Sequence, residues 1–213
     1  MNREDQVRIY DPAKSAVFLK TNERFGGLSN MAPGFAVVVN GVRIRTSEAL
    51  YQACRFPHLP HVQRLIISEH SPMTAKMRGK PYASQTRPDW DRVRVGLMRW
   101  CLRVKLNQNP SKFSSLLRST GDLPIVEKKT RRSDFWGAKL ADDGSLVGMN
   151  VLGRLLMELR AELEAKGIEA FDEIPPPNIE GLFLYDRRIG VIRRPIKEDG
   201  DADTSLFSSH PFR

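Results

Sequence analysis

The stretch Thr46-Ser47-Glu48-Ala49-Leu50-Tyr51-Gln52-Ala53-Cys54-Arg55-Phe56 puts a carboxylate in the first turn of a helix that follows a strand and its turn. Thr46 or Ser47 can cap that helix with a side-chain oxygen, and Leu50, Ala53 and Cys54 supply its buried face. Taken alone, Glu48 also reads as an ordinary first-turn acid that complements the helix dipole. On this segment alone the ordinary reading of Glu48 is the stronger; Asn30, Trp90, Glu127, Asp134, Trp136 and Asn150 change the odds only through the resemblance they carry together.

Each of these residues has a plainer alternative. Lys105 lies on a long helix between Cys101 and Gln108, close to the apolar side. A desolvated lysine has a depressed pKa and can be a nucleophile; a lysine with its stem on the core and its charge in water is the simpler picture. Trp90 and Trp136 stand outside the clear helical cores, either as stacking faces or as packing. Glu127 closes a strand, where substrate groups are often held, or pairs with Lys128 or Arg131 at the surface. Asp134 either joins the chemistry or caps the turn before Trp136. Asn150 reads as the cap of the last helix, whose N-terminus is also a seat for an anion.

The elements that position them are legible in outline. Residues 16–45 read as strands and turns, with Asn40-Gly41 a strong type I′ hairpin signal between two valine-rich runs. The Glu48 helix stops before Pro57. Short helical pieces cover 62–68 and 71–76, a long amphipathic helix runs from 90 to about 109, and 113–118 adds another turn or two. A strand over 123–127, a loop holding Asp143-Gly144 and a helix from Asn150 to Gly167 complete a main domain over 16–167. That is an α+β class: a compact, mostly helical single domain around a small β-sheet. Residues 1–15 form an N-terminal segment. Residues 168–196 are a C-terminal extension with a Pro175-Pro176-Pro177 linker and a β-hairpin around Asp186-Arg187-Arg188, and 197–213 read as a disordered tail.

Thirty-four lysines and arginines against 25 acids give a net charge of +9, which favours an anionic partner such as nucleic acid, a nucleotide or a phosphorylated metabolite. Basic stretches at 87–103, 128–132 and 187–194 suit a DNA backbone, with a solvated helix face as the alternative for Arg92, Arg94, Arg99 and Arg103. Cys54 and Cys101 read as reduced core thiols, and the scattered histidines give no metal-ligand spacing. No apolar leader or membrane-length run is visible, so a cytoplasmic protein needing no metal or cofactor and touching no membrane is expected.

Several pieces in order resemble the NADAR family with its YbiA-like N-glycosidases. They are Phe25…Leu28-Ser29-Asn30; Thr46 through Ala53; Trp90; Met98…Leu102…Lys105 with Gln108-Asn109-Pro110; Thr120-Gly121…Val126-Glu127; Asp134-Phe135-Trp136-Gly137; and Gly148-Met149-Asn150-Val151-Leu152-Gly153…Leu156-Met157…Arg160. Any one piece is weak; their order and spacing over about 16–163 are specific. Arg55 stands where the family often has Lys and Leu106 where it often has Phe, departures that bear on substrate more than fold.

The resemblance implies cleavage of an N-glycosidic bond of a ribosyl nucleotide. Such cleavage builds positive charge on the anomeric carbon, so a carboxylate near that carbon and an acid near the leaving base would both help. It implies Glu48, Lys105 and Asp134 as catalytic residues, Glu48 as acid/base or charge stabiliser and Lys105 as a trap for a ring-opened aldehyde. Asn30, Ser47, Trp90, Glu127, Trp136, Gly137 and Asn150 would contact substrate. Together with the basic balance, it leads to the expectation of an enzyme that removes ADP-ribose from guanine in ADP-ribosylated DNA. ADP-ribose would be its product, and it would act as antitoxin to a DNA-targeting ADP-ribosyltransferase. The alternatives are a hydrolase of a phosphoribosylamino-pyrimidine of riboflavin metabolism and a non-enzymatic ADP-ribose or NAD sensor.

Overall fold

Short apolar runs broken by turns become strands, and the longer periodic stretches become helices. The computed structural model describes residues 6–130 and 135–194, so Asp134 and the tail expected at 197–213 lie outside the described residues. In chain order the strands and helices are β1 (Arg8–Tyr10), β2 (Ala16–Phe18), β3 (Val37–Val39), β4 (Val42–Ile44), α1 (Ser47–Ala53), α2 (Pro60–Ser68), α3 (Pro72–Arg78), α4 (Trp90–Gln108), α5 (Pro110–Arg118), β5 (Ile125–Lys129), β6 (Ala138–Leu140), β7 (Leu146–Gly148) and α6 (Val151–Lys166). The extension adds β8 (Glu173–Ile174), β9 (Phe183–Leu184), β10 (Arg187–Arg188) and β11 (Ile192–Arg193). The fold is α+β, and among the described residues no helix is long and apolar enough to cross a membrane.

A five-stranded sheet runs in the order β1-β7-β6-β5-β2, with β2 and β6 parallel to the β5 strand between them and the other pairs antiparallel. The N-terminal segment thus supplies an edge strand, Arg8 opposite Gly148, which its short polar sequence does not announce. Strands β6 and β7 flank the Asp143-Gly144 turn that reads from sequence only as a loop. The Asn40-Gly41 hairpin forms as expected, both residues having the positive φ that a type I′ turn requires.

Side-chain alternation divides β5 between two environments. Ile125 faces the main core with α6, while Val126 faces a small cluster with Ala138 and Leu146. Helix α6 sits so close to β5 that a Cβ on Gly153 would lie 2.1 Å from the Ile125 carbonyl oxygen, so only glycine fits there.

The extension is stitched to the main body rather than draped over it. Phe171, Ile174, Leu182, Leu184, Ile189 and Ile192 are buried in the main core. Asn107 donates to the carbonyls of Phe171 and Asp172, and Gln63 donates to the carbonyls of Ala53 and Phe183 while accepting from the Tyr185 N–H. The hairpin is shorter than its sequence implies: β9 pairs with β10 across Tyr185-Asp186, whereas β11 pairs back with β8. Truncation after Gly167 strips six buried apolar side chains, each worth roughly 1.5–3 kcal/mol. Against a typical total of about 5–15 kcal/mol, that should abolish cooperative unfolding. Thermal denaturation by circular dichroism checks it; a truncated chain melting cooperatively near the full-length midpoint would contradict this account.

Candidate active site

Helices α1, α3, α4 and α6, strand β5, the loop at 29–31 and Trp136 converge on a cavity of about 220 Å³. Helix α1 begins at Thr46, whose Oγ1 accepts from the Ala49 N–H, so Thr46 and not Ser47 makes the cap. The whole helix is buried, yet only one face meets the core. Glu48, Tyr51, Gln52 and Arg55, at helical spacing, form the other face and line the cavity. Their polar groups are linked: Gln52 donates to Glu48 Oε1 at 2.9 Å, Arg55 donates to Gln52 Oε1 at 3.2 Å, and Arg55 reaches Thr86 Oγ1 at 3.0 Å.

Helix α4 contributes Trp90, Arg94 and Met98, spaced by four residues along one stripe. Tyr51 packs between the tryptophans, its ring 5.0 Å from Trp90 and 5.8 Å from Trp136 in an edge-to-face contact. Burial, with the Glu48 carboxylate nearby, pushes the Tyr51 phenol well above its ordinary range, so it stays neutral. Strand β5 contributes Glu127 and Lys129, which share a face with Ile125. Burial raises the Glu127 carboxyl; Lys129, at 2.7 Å, pulls the other way without cancelling it. The plainer alternative for Glu127, a pairing with Lys128 or Arg131, gives way to Lys129 at 2.7 Å, since strand alternation turns Lys128 to the opposite face and Arg131 lies outside the described residues.

The loop before β3 brings Asn30. Its carbonyl accepts from the Glu48 N–H at 3.0 Å, tying loop to helix, and its side-chain amide approaches Met98 Sδ. Asn30 is buried, and its Oδ1 has no hydrogen-bond partner among the described residues.

Asn30, Glu48, Trp90, Glu127 and Trp136 are thus brought together, while Ser47, Lys105, Gly137 and Asn150 do not line the cavity. Lys105 is fully enclosed behind the wall. Its Nζ donates to the carbonyls of Gly27 and Ser29 at 2.6 and 3.0 Å and lies over the rings of Phe35 and Phe113. Burial does depress its pKa, as a nucleophile would need, but the amine is committed to the loop and faces no cavity. In this placement Lys105 braces the loop behind the cavity, and its part as an aldehyde trap stays an expectation drawn from the resemblance.

Asn150 stands at the N-cap position of α6, as expected, but its side chain is used elsewhere. It adopts the left-handed conformation and makes no side-chain cap. Its amide instead donates to the Ile125 carbonyl at 2.8 Å and accepts from the Glu127 N–H at 3.2 Å, extending the ladder of β5 beyond the reach of β6. The N–H groups of Asn150, Val151 and Leu152 donate to the carbonyls of Gly137, Phe135 and Trp136, so this helix start is already filled and offers no anion seat. Gly137 serves packing, since a Cβ there would meet the Glu127 carbonyl oxygen at 2.2 Å.

Tyr51, Gln52, Lys76, Arg94 and Lys129 are lining residues that the motif reading passed over. A polar stripe at helical period inside a short, otherwise buried helix was the available signal for those on α1. The Arg stripe of α4 is less free than its sequence implies: Arg99 and Arg103 pair with Glu158 and Glu162 of α6.

Replacing Asn150 by alanine orphans a buried carbonyl and the N–H of Glu127, each unsatisfied group costing about 1–3 kcal/mol. Asn150→Ala should lower unfolding free energy by roughly 2–5 kcal/mol in a urea titration. A loss of only a few tenths would show that the amide is not holding β5.

A family model, the NADAR domain, matches residues 17–164. The Escherichia coli protein named N-glycosidase YbiA is 34% identical over 149 residues, covering 68% of this chain and 86% of that protein. A Vibrio vulnificus protein named for riboflavin biosynthesis is 33% identical over 170 residues, 78% of this chain but only 44% of its own length. The NMR structure of E. coli YbiA superposes with a TM-score of 0.60 at 30% identity, covering 75% of this chain and 91% of that one. With its fold, its motif residues gathered on one cavity and these matches, the chain belongs to the NADAR family.

Proposed function

We propose that this chain is an N-glycosidase hydrolysing the bond between a phosphorylated ribose and a nitrogen base. The observation that carries the proposal is the pair of carboxylates, Glu48 and Glu127, on one cavity that also presents Trp90, Trp136 and four cationic side chains. As the bond to the base breaks, its electron pair goes to the base nitrogen and positive charge grows at the anomeric carbon. Glu48, anchored by Gln52, stabilises that charge and takes a proton from the attacking water. Glu127, raised by burial, gives its proton to the departing nitrogen. Water adds its oxygen to the sugar, the base leaves protonated, and proton exchange with solvent resets both carboxyl groups. Trp90 and Trp136 offer faces for the base, and Asn30 Oδ1 offers an acceptor for a ribose hydroxyl.

The relatives' names, an N-glycosidase and a riboflavin biosynthesis protein, favour a substrate from riboflavin metabolism; the phosphoribosylamino-pyrimidine that the family resemblance implies is of that kind, and the modest cavity suits one sugar and one base. Removal of ADP-ribose from guanine in DNA, with the antitoxin role that accompanies it, is the second reading. Its support is the net charge of +9, partly offset by the pairing of Arg99 and Arg103 to α6.

Both substrates, a phosphoribosylamino-pyrimidine and a guanine-ADP-ribosylated oligonucleotide, can be offered to the protein and to Glu48→Ala, with mass spectrometry as readout. Release of free pyrimidine, slowed about 100- to 1,000-fold in Glu48→Ala, is expected. Restoration of plain DNA instead would select the second reading. Binding without turnover of either substrate would leave a sensor. Since Glu127 acts protonated, kcat should fall as pH rises through its raised pKa. Glu127→Gln should lose that alkaline limb and run about 100- to 10,000-fold slower.

A further inference from the structure

Each cavity carboxylate already holds a lysine on its water side. Lys129 Nζ lies 2.7 Å from Glu127 Oε1, and Lys76 Nζ lies 3.9 Å from Glu48 Oε1. The lysine side chains are 31% and 50% exposed, their carboxylate partners only 13% and 8%. An anion arriving from solvent therefore meets the ammonium groups before the carboxylates. Arg55, Lys76, Arg94 and Lys129 outnumber the carboxylates by two charges with Glu127 ionised and by three once it is protonated, an excess that suits a phosphate monoester dianion.

The two arginines are not free to follow such an anion. Arg55 is held by Gln52 and Thr86 with its guanidinium over Trp90, and Arg94 lies 4.1 Å over the Phe135 ring. The lysines sit on long stems and are partly exposed, Lys129 at 31% and Lys76 at 50%, so their ammonium heads can pass from one anionic partner to another. Exchanging a carboxylate for a phosphate dianion costs them little. A carboxylate with an ammonium against it has part of its field cancelled and stabilises a growing cation less well.

We infer that Lys76 and Lys129 are gating residues: the phosphate of the substrate draws both ammonium groups to itself and so frees Glu48 and Glu127 to act on the glycosidic bond. The inference rests on the N-glycosidase reading and specifies how that site is switched on. Both lysines oppose the burial that raises the Glu127 carboxyl, so their departure also helps this group keep the proton the leaving base needs. Phosphate on such a substrate raises kcat and does more than tighten binding.

The test uses inorganic phosphate and protein carrying 13C at its glutamate carboxyl carbons. Titration should shift the Glu48 and Glu127 resonances saturably. In Lys76→Met/Lys129→Met, which keeps the stems, the affinity should drop at least tenfold and those shifts should vanish. No phosphate binding, binding that leaves the two resonances still, or equal binding to the double variant overturns the gate. This arm needs no turnover, so it decides the gate even if the glycosidase reading fails. With the unphosphorylated ribosyl pyrimidine as substrate, added phosphate should raise kcat severalfold in the wild type and not in the double variant; phosphate that only inhibits overturns the gate as well.

Discussion

A buried amine holds the loop on which one wall of the cavity is built. Lys105 reaches out of α4 to the carbonyls of Gly27 and Ser29, and Phe35 and Phe113 close over its charge. The Ser29 carbonyl also accepts from the Ala32 N–H, and Lys105 supplies the donor for the Gly27 carbonyl beside it, where a dry, unpaired oxygen would be costly. Charged or neutral, the amine has enough N–H groups for both. With the turn fixed, the Asn30 carbonyl meets the Glu48 N–H, and the side chain of Asn30 is set against Met98. One enclosed side chain thereby ties α4, the loop and the first turn of α1 into a single wall.

The opposite wall is built by the same device. Asn150 acts as a piece of strand for Ile125 and Glu127, and Gly137 and Gly153 let their neighbours approach closely enough for it to reach. Arg160 donates to Thr120 and to the Leu123 carbonyl on the approach to β5. Asn107 and Gln63 do likewise for the extension. In each case a buried polar side chain satisfies backbone that no regular element covers. Buried polar groups are tolerated when fully paired, and pairing of this kind also fixes position. The result is a fixed frame for Glu48 and Glu127, and preorganised groups of this kind are what the proposed hydrolysis calls for.

Electrostatics separates the frame from the working surface. The outer arginines of α4 are tied to acids of α6, where they brace two helices. At the cavity the cations exceed the carboxylates, and the most mobile of them are the lysines. Charge counted over the whole chain therefore says less about the partner than charge counted over the cavity wall.

Local order made much of this readable in the sequence. Asn40-Gly41 determines a type I′ turn by its own backbone preferences, and Thr46 followed by an apolar stripe determines where α1 starts and that Glu48 stands in its first turn. The period of α4 and the motif order were enough to gather Asn30, Trp90, Glu127 and Trp136 with Glu48 as candidates. The roles of Lys105 and Asn150 were not readable, because a lysine on a half-apolar stripe looks the same whether it snorkels, reacts or ties down a loop 76 residues away. Nor could sequence pair β1 with β7, or choose Lys129 as the partner of Glu127 before the strand's register was known. Periodicity is set by bonds between near neighbours, so the chain alone determines its elements and their faces. Which faces meet, and which polar groups are left in the gap between them, is decided by packing between distant segments, and it is in that gap that the cavity lies.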